Sequence, residues 1–281
     1  MNDQGYGLLK GKTGIIFGAL DERSIAWQIA VACHREGAKM VLSNAPIALR
    51  FGTLETLSEK IDAPIIGCDV TDDNDISSLM TAVKEKFGGV DFILHAIGMS
   101  PNIRKKKDYE DINYKWMQQS LDISAISLHR IINQADKAGI LNDGGSVVAL
   151  SYIGAQRIFS KYSDMNDAKA LLESIARNYG SRLAKRGIRV NTVSQAPTKT
   201  SAGGGIAGFD AMYNFAEKLA PLGNPTAEDC ADYCVTLFSD LTKKVTMQNL
   251  FHDGGFVNSG ISEELIEDLM ALHAKAQVSE S

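Results

Sequence analysis

Short apolar runs recur along this 281-residue chain, spaced too widely for hairpins and far enough apart to hold a helix between each pair. The runs expected as strands are Thr13 to Phe17, Lys39 to Ser43, Pro64 to Cys68, Phe92 to Ala96, Ser146 to Leu150, Arg189 to Val193 and Gln248 to Phe251. They are apolar without alternation, as strands are when both faces are covered in a parallel sheet. Helical patterns begin between them near Ser24, Ala48, Asn74, Tyr114, Ser163 and Ala227. Alternating β and α elements joined by right-handed crossovers predict an α/β fold: a Rossmann-like, doubly wound parallel sheet of about seven strands with helices on both faces. No polar linker or low-complexity stretch divides the chain, so residues 1–281 read as a single domain.

Composition removes several classes of function. With 44% apolar residues, 22% charged residues and a net charge of -5, the chain has an ordinary soluble character and no global attraction to nucleic acid or membrane. No basic face with interleaved aromatics supports a nucleic-acid role. The first ten residues show no export or organelle signal, which predicts a cytoplasmic protein. Cys33, Cys68, Cys230 and Cys234 are then expected as buried, reduced thiols. Cys230 and Cys234 stand four apart, yet no nearby His or Cys pair completes a zinc site, so no metal is expected.

Ligands of a doubly wound sheet sit beyond the carboxyl ends of its strands, so the residues after each run are the ones to read. After the first run, Gly18 allows a tight turn and Ser24-Ile25 stand where a helix begins. Its amides would face a pyrophosphate, although an N-cap serine alone gives the same pattern. After the second run comes Asn44, able to hydrogen-bond a ribose, with no Asp or Glu there to hold the diol. The missing adjacent Arg or Lys favours NADH, with NADPH possible because Arg50 could reach a 2'-phosphate. After the third, Asp69-Val70 could meet an adenine amino group, or Asp69 could cap the next helix. After the fourth, Ile97, Gly98 and Ser100 leave room for a flat ring or ribose against backbone. The sixth run is followed by Thr198, Lys199, Thr200, Ser201 and Ala202 and then glycines, a stretch expected to form a mobile lid over about residues 198–216.

The fifth run leads through Ser151-Tyr152 into Tyr162 and Lys169, seven positions apart. On one helix that spacing puts phenol and ammonium on a common face, where the lysine would favour the phenolate. Because the pair follows a strand end, it belongs to the same sheet edge as the proposed cofactor and is read as catalytic.

These residues carry a resemblance. Gly18-Ala19 with Ser24-Ile25-Ala26, Cys68-Asp69-Val70, His95-Ala96-Ile97-Gly98, Ser151-Tyr152 with Tyr162 and Lys169, Ile188-Arg189-Val190-Asn191 and His252-Asp253-Gly254-Gly255 resemble the short-chain dehydrogenase/reductases. Within them the chain is similar to the enoyl-acyl-carrier-protein reductases of bacterial type II fatty-acid synthesis, from Lys12 to about Ser262. The resemblance implies reduction of a trans-2-enoyl thioester by NADH. Tyr162 would bond the thioester carbonyl, Lys169 would hold the nicotinamide ribose, and Tyr152, the third catalytic residue, would line the substrate site with Ser100 and assist protonation. It also implies a homotetramer and an acyl-carrier-protein partner.

Where carbonyl reducers of the superfamily carry a serine thirteen positions before the tyrosine, this chain has Ala149, which separates it from a 3-oxoacyl or other carbonyl reductase. A nicotinamide-binding protein without turnover is the other alternative, and keeping both Tyr162 and Lys169 weighs against it. The chain departs from the family in two places. Ala196-Pro197-Thr198 replaces a frequent Gly-Pro-Ile, and the lid helix with Ile206, Phe209, Met212, Tyr213 and Phe215 lacks basic residues for an acidic carrier. The run Arg104-Lys105-Lys106-Lys107 is the alternative docking surface, or simply solvated charge. Ser279 to Ser281 are expected to be disordered.

Overall fold

The computed structural model describes residues 5–50, 53–201, 203 and 208–279. Its elements run β1 (Thr13–Phe17), α1 (Ile25–Arg35), β2 (Lys39–Asn44), α2 (Pro46–Leu49), α3 (Leu54–Ile61), β3 (Ile65–Gly67), α4 (Asp73–Phe87), β4 (Val90–His95), α5 (Pro101–Arg104), α6 (Tyr114–Leu121) and α7 (Ser127–Lys137). They continue with β5 (Leu141–Ser151), α8 (Met165–Leu183), β6 (Arg189–Gln195), α9 (Phe209–Leu219), α10 (Ala227–Phe238), β7 (Asn249–His252) and α11 (Glu263–Ser279). Ser279, expected in a disordered tail, is the last residue of α11.

The seven strands form one parallel sheet in the order β3-β2-β1-β4-β5-β6-β7. Two cores cover it, which is why the strands tolerate apolar residues on both faces. On one side α1, α3 and α10 bury Trp27, Leu57 and Phe238 against Ile16, Met40 and Phe92. On the other α4, α7 and α8 bury Leu79, Ile131 and Leu172 against Ile15, Ile93 and Val147. All four cysteines are buried free thiols, as expected.

Helix starts obey local chemistry. Asp72 accepts the amide of Asn74 at the head of α4, and Thr226 and Asp229 form a reciprocal capping box on α10. Register aligns the strand ends: Phe17 pairs with Ser43 and His95, His95 with Ala149, Ser151 with Ser194, and Gln195 with His252. The row so formed collects the residues singled out after each strand.

Two local departures shape that row. Between α6 and α7 a single π turn, Asp122–Ile126, absorbs one extra residue, and the Ser124 hydroxyl bonds both the amide (3.0 Å) and the carbonyl (3.1 Å) of Met99. The second lies before α8. Ser163 has φ 44° and ψ -134°, so Tyr162 belongs to a separate 3-10 turn (Ser160–Tyr162), and only Lys169 is on the helix. The expected common helix face for the pair is thereby corrected.

Candidate active site

A cavity of about 260 Å³ opens at the carboxyl ends of β4, β5 and β6. Its walls are Ile97, Gly98 and Ser100 after β4, Leu150 to Tyr152 at the end of β5, Gln195 to Thr198 after β6, Met165 and Lys169 of α8, and Phe209 and Met212 of α9. Tyr162 lines it too, so the turn brings phenol and ammonium together although no helix face does. A second hollow of about 380 Å³ is made by α11 residues alone, from Ile266 to Gln277, and receives nothing from the strand ends.

Lys169 is buried, and its Nζ donates to the Leu150 carbonyl at 2.7 Å. Burial lowers its pKa to about 8 against the opposing charge of Glu173. Glu173, buried one turn further along α8, accepts from the Ser151 hydroxyl at 2.8 Å and from Gln156 at 3.2 Å. Behind them His95 is fully buried with Nε2 2.8 Å from the Ser127 hydroxyl, and burial, followed by the charge of Lys169, holds its pKa near about 3.

Desolvation raises the Tyr162 phenol well above the ordinary range. The expectation that Lys169 favours a phenolate is therefore corrected: at neutral pH Tyr162 is a protonated donor. The Tyr152 ring stands edge-on to Tyr162 at 4.8 Å. Its hydroxyl is buried without a partner among the described residues, and burial, then the neighbouring phenol, raises it as well. A buried phenol that finds no acceptor in the protein suits a pocket whose ligand supplies one.

At the cofactor edge, Gly18 has φ +97° and lies so close to β4 that a Cβ would stand 2.1 Å from the Ala96 oxygen. The Ser24 hydroxyl does not cap α1; it donates to the Asp21 carbonyl (2.7 Å) and accepts from the Leu20 amide (3.2 Å). The helix start beside Ile25 is left without a side-chain cap, a donor set that fits a pyrophosphate. Small residues at Gly98 leave space beside Lys169, with the Nζ 3.9 Å from where a Cβ would be. The residues present thus fit a dinucleotide laid along the row of strand ends.

Four expected contacts change character. Both ends of the Asn44 amide are committed, to the Ala19 carbonyl (2.9 Å) and the Ala45 amide (2.8 Å), so it braces the β1 turn. Asp69 is exposed and caps its own turn at the Thr71 amide and hydroxyl, while Asp72 caps α4 and Val70 is buried beside them. Ser100 lines the cavity, but its hydroxyl donates to Asp164 at 2.6 Å and caps α5 at Ile103, so it supports the wall. In the lid, Thr198 accepts from Gln195 (3.0 Å), Lys199 lies 4.4 Å over the Tyr213 ring, Thr200 accepts from the Gly203 amide, and Ser201 donates to Asp21 at 2.5 Å. Ala202 and Ile206 lie outside the described residues.

Asp21, Glu173 and Asp164 were not anticipated. Asp21 meets Ser201 across 180 positions, a pairing with no local signal. Glu173 was findable, since it stands four after Lys169 on a helix facing the sheet.

A family model described as enoyl-(acyl carrier protein) reductase matches residues 18–257. Enoyl-(acyl-carrier-protein) reductase (NADH) 1 of Rhizobium meliloti (strain 1021) is 36% identical over 271 residues, covering 96% of this chain and 98% of that protein. The crystal structure of the FabI–NADH complex from Alistipes finegoldii is 54% identical, covers 92% of each chain and superposes with a TM-score of 0.90. The Bacillus cereus enoyl-acyl carrier protein reductase, solved with NADP+ and indole naphthyridinone, is 31% identical, with 90% of this chain and 99% of that one covered and a TM-score of 0.85. With the sheet order, the cavity and the Tyr162–Lys169 pair in place, the chain belongs to the enoyl-(acyl carrier protein) reductase family.

Proposed function

We propose that this protein reduces the trans-2 double bond of enoyl thioesters carried on acyl carrier protein, with NADH as reductant, in fatty-acid elongation. The observation that carries this reading is that the Tyr162 phenol and the buried Lys169, whose Nζ is fixed on the Leu150 carbonyl, line one cavity at the strand ends. When bound, NADH supplies the hydride that adds to C3 of the enoyl group. Tyr162 donates a hydrogen bond to the thioester oxygen, where the displaced electron pair gathers as an enolate. Such a donor stabilises the transition state by a few kcal/mol in a dry site. Lys169, fixed by Leu150, would hold ribose hydroxyls, and Tyr152, the second phenol lining the pocket, would assist delivery of a proton from solvent to C2 of the enolate, which completes the reduction.

The carbonyl-reductase alternative is weakened twice. Ala149 offers no hydroxyl, and Ser151, the nearest serine on β5, spends its own on Glu173. Among the described residues none of Arg104, Lys105, Lys106 or Lys107 forms an ion pair. All four are exposed, and Arg104 lines the cavity mouth, which supports them as the seat of an acidic carrier. We further infer a homotetramer in the cytoplasm. Among the described residues no helix is long and apolar enough to cross a membrane.

The test is loss of reduced-nicotinamide absorbance with NADH and a trans-2-enoyl thioester, repeated with NADPH, with a 3-oxoacyl thioester and with Tyr162→Phe. Enoyl-dependent oxidation is expected, falling about a hundredfold in the variant. Oxidation with the oxo substrate alone makes the protein a carbonyl reductase; none with either makes it a binding protein. Reversing the four charges at 104–107 is expected to raise KM for carrier-bound substrate only.

A further inference from the structure

Asp164 is fully buried, yet it is not paired with a cation among the described residues. Instead its carboxylate accepts three hydrogen bonds from two other elements. Oδ1 receives the Ser100 hydroxyl at 2.6 Å, and Oδ2 receives Asn102 at 2.8 Å and the Ser120 hydroxyl at 2.9 Å. Ser100 caps α5 and Ser120 lies on α6, so the three donors tie the segment after β4 to the start of α8. Asn102 extends the tie by accepting the Asn113 amide at 2.9 Å.

What Asp164 anchors is strained. Its neighbour Ser163 holds φ 44° without being glycine and has a buried hydroxyl with no partner among the described residues. Backbone of that kind persists only where the surroundings over-determine it. The residue before it is Tyr162. A buried carboxylate without a cation is costly, and one met by three neutral donors is tolerable only while all three stay in place.

Resting on the reading of Tyr162 as the enolate's hydrogen-bond donor, we propose that Asp164 is a positioning residue: it clamps the strained Tyr162–Met165 turn to α5 and α6 and thereby sets where the phenol stands in the cavity. It touches no reacting atom, and its effect on rate passes through Tyr162 alone.

The test uses Asp164→Asn, which turns one acceptor into a donor facing donors, and the milder Ser120→Ala should the first fail to fold. Each is made in the wild-type and the Tyr162→Phe backgrounds. In the wild-type background kcat is expected to fall at least tenfold for Asp164→Asn and about threefold for Ser120→Ala, with NADH affinity by fluorescence titration unchanged. In the Tyr162→Phe background neither substitution should lower kcat further. Equal losses in both backgrounds, or an unchanged kcat in the first, overturn the proposal. Hydrogen exchange decides the clamp independently of turnover. Amides of residues 162–168 should exchange faster in either variant while those of β4 and β5 do not, and unchanged exchange at 162–168 overturns it. If the wild-type protein oxidises no NADH with enoyl thioesters, the reading of its function falls while the exchange result still stands or fails alone.

Discussion

Lys169 is the residue whose environment makes the sharpest demand. In the folded protein it releases its proton near pH 8, against 10.5 in the unfolded chain. Because the folded value is the lower one, the unfolded chain holds a proton that the native state has lost throughout that interval, and stability climbs with pH across it. The full cost of the buried charge is present below about pH 8. In urea titrations, the unfolding free energy of wild type minus that of Lys169→Met should therefore grow by about 2 kcal/mol between about pH 7 and about pH 9.5. Turnover should move the other way, with kcat falling above about pH 8 as the ammonium that orders the site disappears. The Tyr162 phenol, raised by burial, stays protonated over the same range and adds no second limb. A kcat that is flat through pH 9 would show that the charge of Lys169 does not matter. The types and spacing of Tyr152, Tyr162 and Lys169 were legible in the sequence. Their protonation was not, since desolvation depends on how deeply each group lies and not on which residues stand beside it.

Elements were read more surely than the joints between them. The seven strands fall where continuous apolar runs placed them, because a strand covered on both faces leaves that mark in any sequence. The errors lie at strand ends and turns. β5 begins at Leu141 rather than Ser146, and its register shifts against β4 between Val90 and Phe92. Ser163 interrupts the helix on which Tyr162 was placed, although nothing about a serine advertises a positive φ. Asn44 and Ser100 do stand at strand ends, but their polar atoms are taken by neighbouring backbone and by Asp164. Gly18 was legible for the right reason, and its replacement gives the test at this scale. Gly18→Ala would drive a Cβ to within 2.1 Å of the Ala96 oxygen at φ +97°, spreading β1 from β4 at their carboxyl ends. The variant should lose about 3 kcal/mol or more of stability in denaturant titrations and bind NADH at least tenfold more weakly. A stable variant with native NADH affinity would mean that the turn does not cradle the dinucleotide.

At the scale of the whole molecule, several apolar side chains face outward at places where a second copy could cover them. Tyr114 at the head of α6 is 76% exposed, and Phe251 on the edge strand β7 is 38% exposed. A bare sheet edge with an exposed aromatic is a liability unless it is covered, which fits the inferred homotetramer. Sedimentation equilibrium should give about four times the 30.4 kDa chain mass, and Phe251→Asp should shift it toward smaller species. A wild-type protein that sediments at the mass of one chain would sink that assembly. The same strand order has a consequence in time. Of the seven strands β1 comes earliest in the chain, yet it sits inside the sheet, and the neighbour on its far side, β4, begins more than seventy residues later. At roughly 5–20 residues per second, the ribosome leaves Ile15, Ile16 and Phe17 with one bare flank for several seconds. An interior strand of the finished sheet thus waits for one of its two partners while the chain is made, and its open flank is a stretch that a chaperone at the exit tunnel could hold in that interval.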